Sequence, residues 1–360
     1  MQRQRLVSVD VFRGVTIAAM ILVNTPGSWN YVYPPLLHAS WNGITPTDCV
    51  FPFFIFIMGV SISLSLQKYR TDDVDVPGKL YKKIVQRALI LFFIGLFLNA
   101  FPYFNLTSLR IPGVLQRIAI VFLVCSVLYL KFSHRTILWT MTGLLLGYWL
   151  IVDYVPVPEG HDHLQGWLDH TLLRGHLWSQ TKVWDPEGVL STLPAVASGI
   201  AGLVFGYSFV AGEKTGLQYY LWLGIGLTGI VIGLVWDLIF PINKSLWTSS
   251  FVLFTSGTAI LFYMMLHWVL DKKSIFKIYF QPFVHMGSNA IAAYTLSIIL
   301  VKLLFLIPVE GVSSYGWIFN HLFLPWLDPY MASLAFALGF LAINYLILLA
   351  MYKKSIFIKI

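Results

Sequence analysis

The chain has 360 residues, of which 58% are hydrophobic and only 11% charged, against about 25% charged in an average soluble domain. Apolar segments of about 20 residues, enough to cross a hydrocarbon core of roughly 30 Å, recur from one end to the other, which excludes a soluble globular domain as the main body. The formal net charge of +8 sits in short Lys and Arg clusters between those segments, the distribution of a membrane protein under the positive-inside rule and not of a nucleic-acid binder.

In chain order the pattern predicts ten spans, at about 11–29, 49–67, 85–103, 111–130, 136–154, 188–211, 219–239, 248–270, 284–306 and 330–352. The expected fold class is an all-α polytopic membrane helix bundle, a single transmembrane domain over 1–360. The apolar stretch behind the basic head carries Asp10 and Arg13 and no small-residue cleavage site, so it reads as a retained first helix and not a removable signal peptide. With the N-terminus inside, 18 of the 24 Lys and Arg residues fall on the inner side, among them Arg3, Arg5, Lys214 and Lys359. Both termini are then cytoplasmic, and the expected location is the cell (inner) membrane, multi-pass. Loops 30–48, 104–110, 155–187, 240–247 and 307–329 face outward. The longest, 155–187, carries His161, His163, His170 and His176 among Trp167, Trp178 and Trp184 and reads as an extracytoplasmic loop or lid.

An ionisable side chain inside a span is costly, and so marks a functional candidate that normally has a partner. Asp10 and Arg13, three residues apart on one helix face, support two readings. One is a local ion pair; the other joins Arg13 to Lys82, Lys83 and Arg87 as a landing place for an anionic cytoplasmic ligand such as a phosphate group. Asn24 ends the same helix on the opposite side, where Pro26 and Gly27 break it. Its amide either ties helices together or holds a carbonyl oxygen that gains charge in a transition state. His38 lies between Asn24 and Asp48 in the first outward loop. It is either an interfacial loop histidine or an acid–base centre whose imidazole Asp48 orients.

Trp41 and Asn42, in "ASWNG", supply an indole and an amide of the kind that line a sugar site. Asp185 and Glu187 precede the sixth span, where helix-start electrostatics and substrate binding both stay open. Arg117, inside the fourth span, reads as structural and paired with a carboxylate. Asp237, Lys302 and Asn289 are further intramembrane polar groups without an assigned partner. Cys49 and Cys125 read as small buried hydrophobes. His161 and His163 form an H-x-H pair, but no cysteine or carboxylate set completes a tetrahedral site, so no metal is expected. Neither a phosphate-cradling glycine loop nor a serine elbow is present in the sequence.

Eight stretches, "RLVSVDVFRG", "LVNTPG", "HASWNGITPTDCVFPFFIFIMG", "RIPGVLQR", "DPEGVLSTL", "FPINKSLWTSSFVL", "GSNAIAAY" and "YKKSIFIKI", together resemble the heparan-alpha-glucosaminide N-acetyltransferase family of transmembrane acyltransferases, in the same order. The resemblance implies a multi-pass enzyme that takes acetyl from cytosolic acetyl-CoA and places it on the amine of a terminal glucosamine across the membrane. By motif, the catalytic histidine falls on His38, its active-site neighbours on Asn24 and Asp48, and one basic residue of the CoA side on Arg13. A bacterial-type member without the lysosomal enzyme's luminal extension is implied, with heparan itself an open substrate.

Elementary chemistry is compatible with that expectation. Acetyl-CoA is polyanionic and cannot enter hydrocarbon, the inner basic clusters offer it a landing place, and an acetyl transfer between the two sides needs a protein-lined conduit. The implied mechanism uses His38 as general base with Asn24 stabilising the oxyanion, or as an acetyl carrier between two half-reactions. Alternatives are a membrane O-acyltransferase of an envelope glycan or lipid, and a sugar transporter lined by Arg117, Asp237 and Lys302. Expected partners are acetyl-CoA, an amino-sugar acceptor and the lipid bilayer, with a homodimer open and nucleic acid not expected.

Overall fold

A computed structural model describes residues 6–70, 76–210 and 216–358. Arg3, Arg5, Lys214 and Lys359 of the inward basic set lie outside the described residues. Thirteen helices follow one another among the described residues: α1 (Val7–Asn24), α2 (Val50–Leu66), α3 (Gly78–Ala100), α4 (Val114–Lys131), α5 (His134–Tyr154), α6 (Leu164–Leu173), α7 (Thr192–Phe205), α8 (Gly216–Asp237), α9 (Ser249–Leu266), α10 (Gln281–Ser288), α11 (Ala290–Leu306), α12 (Ser314–Ile318) and α13 (Pro329–Lys353). Nine of these runs are long and apolar enough to cross a membrane, and α10 with α11 makes a tenth if counted as one span. The protein is an all-α multi-pass membrane bundle, and the ten expected spans map onto these helices in order.

The ninth expected span, 284–306, is not one rod: α10 and α11 meet at 85°. Asn289 sits at the break with φ −129° and ψ 40°, outside the helical region. Its amide donates to the Ile356 carbonyl (2.9 Å) and accepts from Ile358 N–H (2.9 Å), so the polar groups of the chain end are satisfied where the helix is broken.

The chain groups into two compact units. The first comprises residues up to Ala39, Thr45–Phe51 and Met265 onward; the second comprises Ser40–Ile44 and Pro52–Met264. In the first unit the Asp271 carboxylate accepts from Val7 N–H (3.1 Å) and Ser8 N–H (3.3 Å). That supplies the start of α1 with the acceptor and the negative charge that orphan helix N–H groups favour. α1 and α10 approach so closely that a Cβ on Gly14 would strike the Phe283 backbone, and one on Gly287 the Asp10 carbonyl. The break after α1 is held by Tyr315 Oη, which donates to the Pro26 carbonyl at 2.7 Å, and by Gly27 N–H, which donates to Ser333 O at 3.2 Å.

In the second unit, α7 is the helix most enclosed by protein, 72% buried over its apolar window, whereas α5 and α8 are 17% buried and present broad lipid-compatible faces. Gly202 of α7 lies against the Phe56 backbone of α2. The short α6, inside the 155–187 loop, packs Leu164 with Tyr148, Leu190 and Phe240. That hydrophobic contact makes the loop a folded element rather than a free excursion.

Candidate active site

Asp48 is 1% exposed and belongs to a turn that runs directly into α2. The sequence "TPTD" is a capping box: Thr45 Oγ1 accepts from Asp48 N–H (3.4 Å) while the Asp48 carboxylate accepts from Thr45 N–H (2.9 Å). One carboxylate oxygen, Oδ2, also accepts from Ala39 N–H (3.1 Å) and lies 3.0 Å from Thr45 Oγ1. The other, Oδ1, is 2.7 Å from His38 Nδ1. A buried acid fixed by backbone donors therefore holds an imidazole whose side chain is 46% exposed. With the proton on Nδ1 toward the carboxylate, the ring carries its lone pair on Nε2, the arrangement that lets a histidine accept a proton from a bound substrate.

Asn24 ends α1 in the same unit and is exposed, so the buried helix-glue reading does not describe it. Its side chain makes no hydrogen bond among the described residues, which leaves the amide available to a ligand. Just beyond it, Leu22, Val23, Pro26, Tyr31, Val32, Tyr33, Leu36, Tyr330, Ser333 and Leu334 line a small cavity.

Trp41 and Asn42 belong to the second unit. Gly43 N–H donates to Ile242 O (2.8 Å), and Asn243 Nδ2 donates to Asn42 Oδ1 (3.0 Å), so the "ASWNG" segment is pinned to the 240–248 turn. The Trp41 ring lies on His163 (centroids 5.7 Å, 27° apart) and edge-on to Trp184 (5.5 Å, 81°).

Asp185 and Glu187 both bind Arg110: its Nε and Nη2 donate to the two Asp185 oxygens at 2.8 and 2.6 Å, and Nη2 also reaches Glu187 at 2.6 Å. Burial works against the Arg110 charge, but these bonds and the two negative charges outweigh it and raise its pKa. Neither acid starts a helix, because α7 begins at Thr192. Asp169 is wholly buried and accepts from Asp185 N–H (3.1 Å) and Val189 N–H (2.9 Å). Burial is the largest influence on it and pushes its pKa up to about 6, against the opposing pull of those two bonds.

Among the described residues Arg117 makes no ion pair with a carboxylate, contrary to the expectation. It is 1% exposed, donates through Nη2 to Ser191 Oγ (2.5 Å) and Gly188 O (3.4 Å), and lies over the Trp247 ring. The cation is held by π-electrons and oxygen dipoles, contacts made by residues 71 to 130 positions away in sequence.

Of the basic candidates, Lys82 and Lys83 are exposed on the first turns of α3, with Arg87 one turn on and over the Phe122 ring at 4.8 Å. In the first unit, Arg13 donates to Gly287 O (3.3 Å) and lies 3.8 Å from Asp10, so the local ion-pair reading describes it and its free capacity is reduced. Asp237 accepts from Ile242 N–H at 2.5 Å. The residues missed by sequence reasoning are Thr45, Asp169 and Arg110 as supports. Only Thr45 had a local signal, the Thr-x-x-Asp spacing.

Sequence comparison shows which known proteins the chain is similar to. The family model for "Heparan-alpha-glucosaminide N-acetyltransferase, catalytic" matches residues 5–164, a stretch that contains Arg13, Asn24, His38, Trp41, Asn42, Asp48, Lys82, Lys83 and Arg87 but stops before Asp185 and Glu187. The chain is 30% identical over 351 residues to heparan-alpha-glucosaminide N-acetyltransferase of Homo sapiens, covering 81% of this chain and 52% of that protein. Against the Mus musculus protein of the same name the identity is 31% over 351 residues, with 81% and 53% covered. The chain thus spans about half the length of these relatives.

Proposed function

Because the chain belongs to the heparan-alpha-glucosaminide N-acetyltransferase family, we propose that it is a membrane-embedded acetyltransferase that moves acetyl from cytosolic acetyl-CoA to the amine of a glucosamine-type sugar on the extracytoplasmic side. The observation that carries the reading is the His38–Asp48 pair at 2.7 Å, with the acid buried and fixed by backbone N–H donors.

The reacting nitrogen of the protein in this reading is His38 Nε2. An amino sugar must lose a proton to attack a thioester: the C–N bond forms, the C–S bond breaks, and the sulfur leaves with the electron pair. His38 Nε2 takes the amine proton and Asp48 stabilises the imidazolium as it forms. The oxyanion that develops on the acetyl carbonyl needs a donor, and the uncommitted Asn24 amide is suited to it. Lys82 and Lys83 of the second unit offer exposed cationic groups to the phosphates of the donor, with Arg87 beside them; Arg13, in the first unit, is a separate basic candidate. Trp41 and Asn42 contact the acceptor. Asp185 and Glu187 serve the acceptor side indirectly, by fixing the segment that follows Trp184. Placement in the cell's inner membrane with both ends cytoplasmic completes the proposal.

The test offers purified protein a panel of amines and alcohols with labelled acetyl-CoA. Glucosamine is expected to become N-acetylated by the wild type and not by His38→Ala, with the variant still recovered folded from the membrane. Labelling of alcohols alone would replace the proposal with an O-acyltransferase, and an active His38→Ala protein would remove it.

A further inference from the structure

The 155–187 loop places two more rings against Trp41. His163 and Trp184 are themselves edge to face, with centroids 5.5 Å apart and planes at 77°, so the three rings form one mutually packed cluster within the second unit. Each is fixed from behind. Gly166 N–H donates to His163 Nδ1 at 2.9 Å and makes this imidazole the cap of α6. A nitrogen that accepts cannot hold the proton, so the neutral ring carries it on Nε2 as a donor. Its pKa is lowered, first by burial, which keeps the ring in that neutral form. Trp184 is anchored through its carbonyl, which accepts from Thr181 Oγ1, and through the next residue, Asp185, held by Asp169 and Arg110. Trp41 is anchored through Gly43 and Asn42.

What this rigid cluster presents is distinctive. Trp41 remains 39% exposed, and the indole N–H groups of Trp41 and Trp184 make no hydrogen bond among the described residues. The Asn42 amide spends its oxygen on Asn243, and its NH2 meets no acceptor among the described residues. An interfacial tryptophan that merely anchors a helix stands with its ring against lipid. Here His163 stacks on Trp41 and Trp184 stands edge-on to both, with donors around the exposed part of the Trp41 ring. A ligand that matches is a flat ring with C–H groups on one face and hydroxyl acceptors at its edge.

We propose that Trp41, His163 and Trp184 form a carbohydrate-binding platform, on which a pyranose ring of the acceptor stacks while His163 Nε2–H, the indole N–H groups and Asn42 meet its hydroxyls. The substrate class rests on the reading in the preceding subsection; the platform is a claim about binding and is tested apart from acetyl transfer.

Saturation-transfer difference NMR with a glucosamine tetrasaccharide and no acetyl-CoA reads binding alone. Saturation of protein aromatic protons is expected to reach the ring C–H protons of the sugar in the wild type and to fall strongly in Trp41→Ala and Trp184→Ala. Trp184→Phe, which keeps an aromatic ring but loses the indole N–H, should fall between, and guards against a variant that fails to fold. In steady-state acetylation of glucosamine the same changes should raise KM by about tenfold and affect kcat less, with KM for acetyl-CoA unmoved. No transfer to the sugar in the wild type, or equal transfer in the three variants, overturns the platform. Sugar binding that depends on Trp41 and Trp184 in a protein without acetyltransferase activity would keep the platform and overturn the enzymatic reading instead.

Discussion

Replacing Asp48 by Asn changes one atom and isolates what the carboxylate does for His38. Backbone N–H donors from Ala39 (3.1 Å) and Thr45 (2.9 Å) both point at Oδ2, so in Asp48→Asn the amide oxygen must keep that side. The amide NH2 then takes the place of Oδ1, 2.7 Å from His38 Nδ1. A donor facing Nδ1 forces that nitrogen to accept, and the imidazole proton moves to Nε2. His38 keeps its place but now offers a donor where the amine needs an acceptor, and the charge that stabilises the imidazolium is gone. In a Ser-His-Asp triad the same exchange costs about 10⁴ in kcat, and a loss of about 10³–10⁴, or roughly 4–5.5 kcal/mol of barrier, is expected here. The assay is labelled-acetyl transfer to glucosamine by purified protein, with acetyl-CoA binding and the thermal midpoint measured alongside. The reasoning fails if Asp48→Asn keeps activity within tenfold of wild type, or if activity vanishes only because the capping box and the protein collapse.

Four further outcomes follow from the same contacts. If His38 takes a proton and not the acetyl group, incubation with labelled acetyl-CoA in the absence of acceptor leaves no label on the protein; an acetyl group trapped on His38 would make it the carrier. Asp169 has a native pKa of about 6 against an ordinary 3.8. The native state therefore holds the proton more tightly, stability falls as pH rises from about 4 to about 6, and the burden is level above that at roughly 3 kcal/mol. The thermal midpoint of Asp169→Asn relative to wild type should climb across that interval and then flatten; a flat difference throughout contradicts it. Arg110→Ala leaves Asp185 buried without its cation and should cost about 3–5 kcal/mol, read as earlier proteolysis of the 155–187 loop, whereas unchanged proteolysis would show that the pair contributes little. Gly287→Ala puts a methyl into the Asp10 carbonyl and should destabilise by about 1–3 kcal/mol or more, seen as a lower thermal midpoint in detergent.

Much of this molecule is written locally. Spans announce themselves by length and hydropathy, and the pairing of His38 with Asp48 is legible because the two are only ten positions apart and Asp48 closes a capping box. Contacts made across the chain leave no such mark. Trp41 finds His163 and Trp184 more than 120 residues on, and Arg110 finds Asp185 at a separation of 75. From sequence Asp185 and Glu187 read equally well as helix-start charges, since only the fold reveals that the helix starts at Thr192 and that a cation claims them first. The bend at Asn289 is likewise hidden, because hydropathy is continuous across a break whose Asn289 side chain finds its partners at residues 356 and 358.

The central claim, that acetyl enters on one face of the membrane and is received on the other beside His38, is tested most directly in sealed vesicles of known orientation. Labelled acetyl-CoA is supplied to the cytoplasmic face alone and glucosamine to the opposite compartment alone. The account predicts N-acetylglucosamine in the glucosamine compartment with wild-type protein and none with His38→Ala. Product that forms only when both substrates share a face, or equally with His38→Ala, contradicts it.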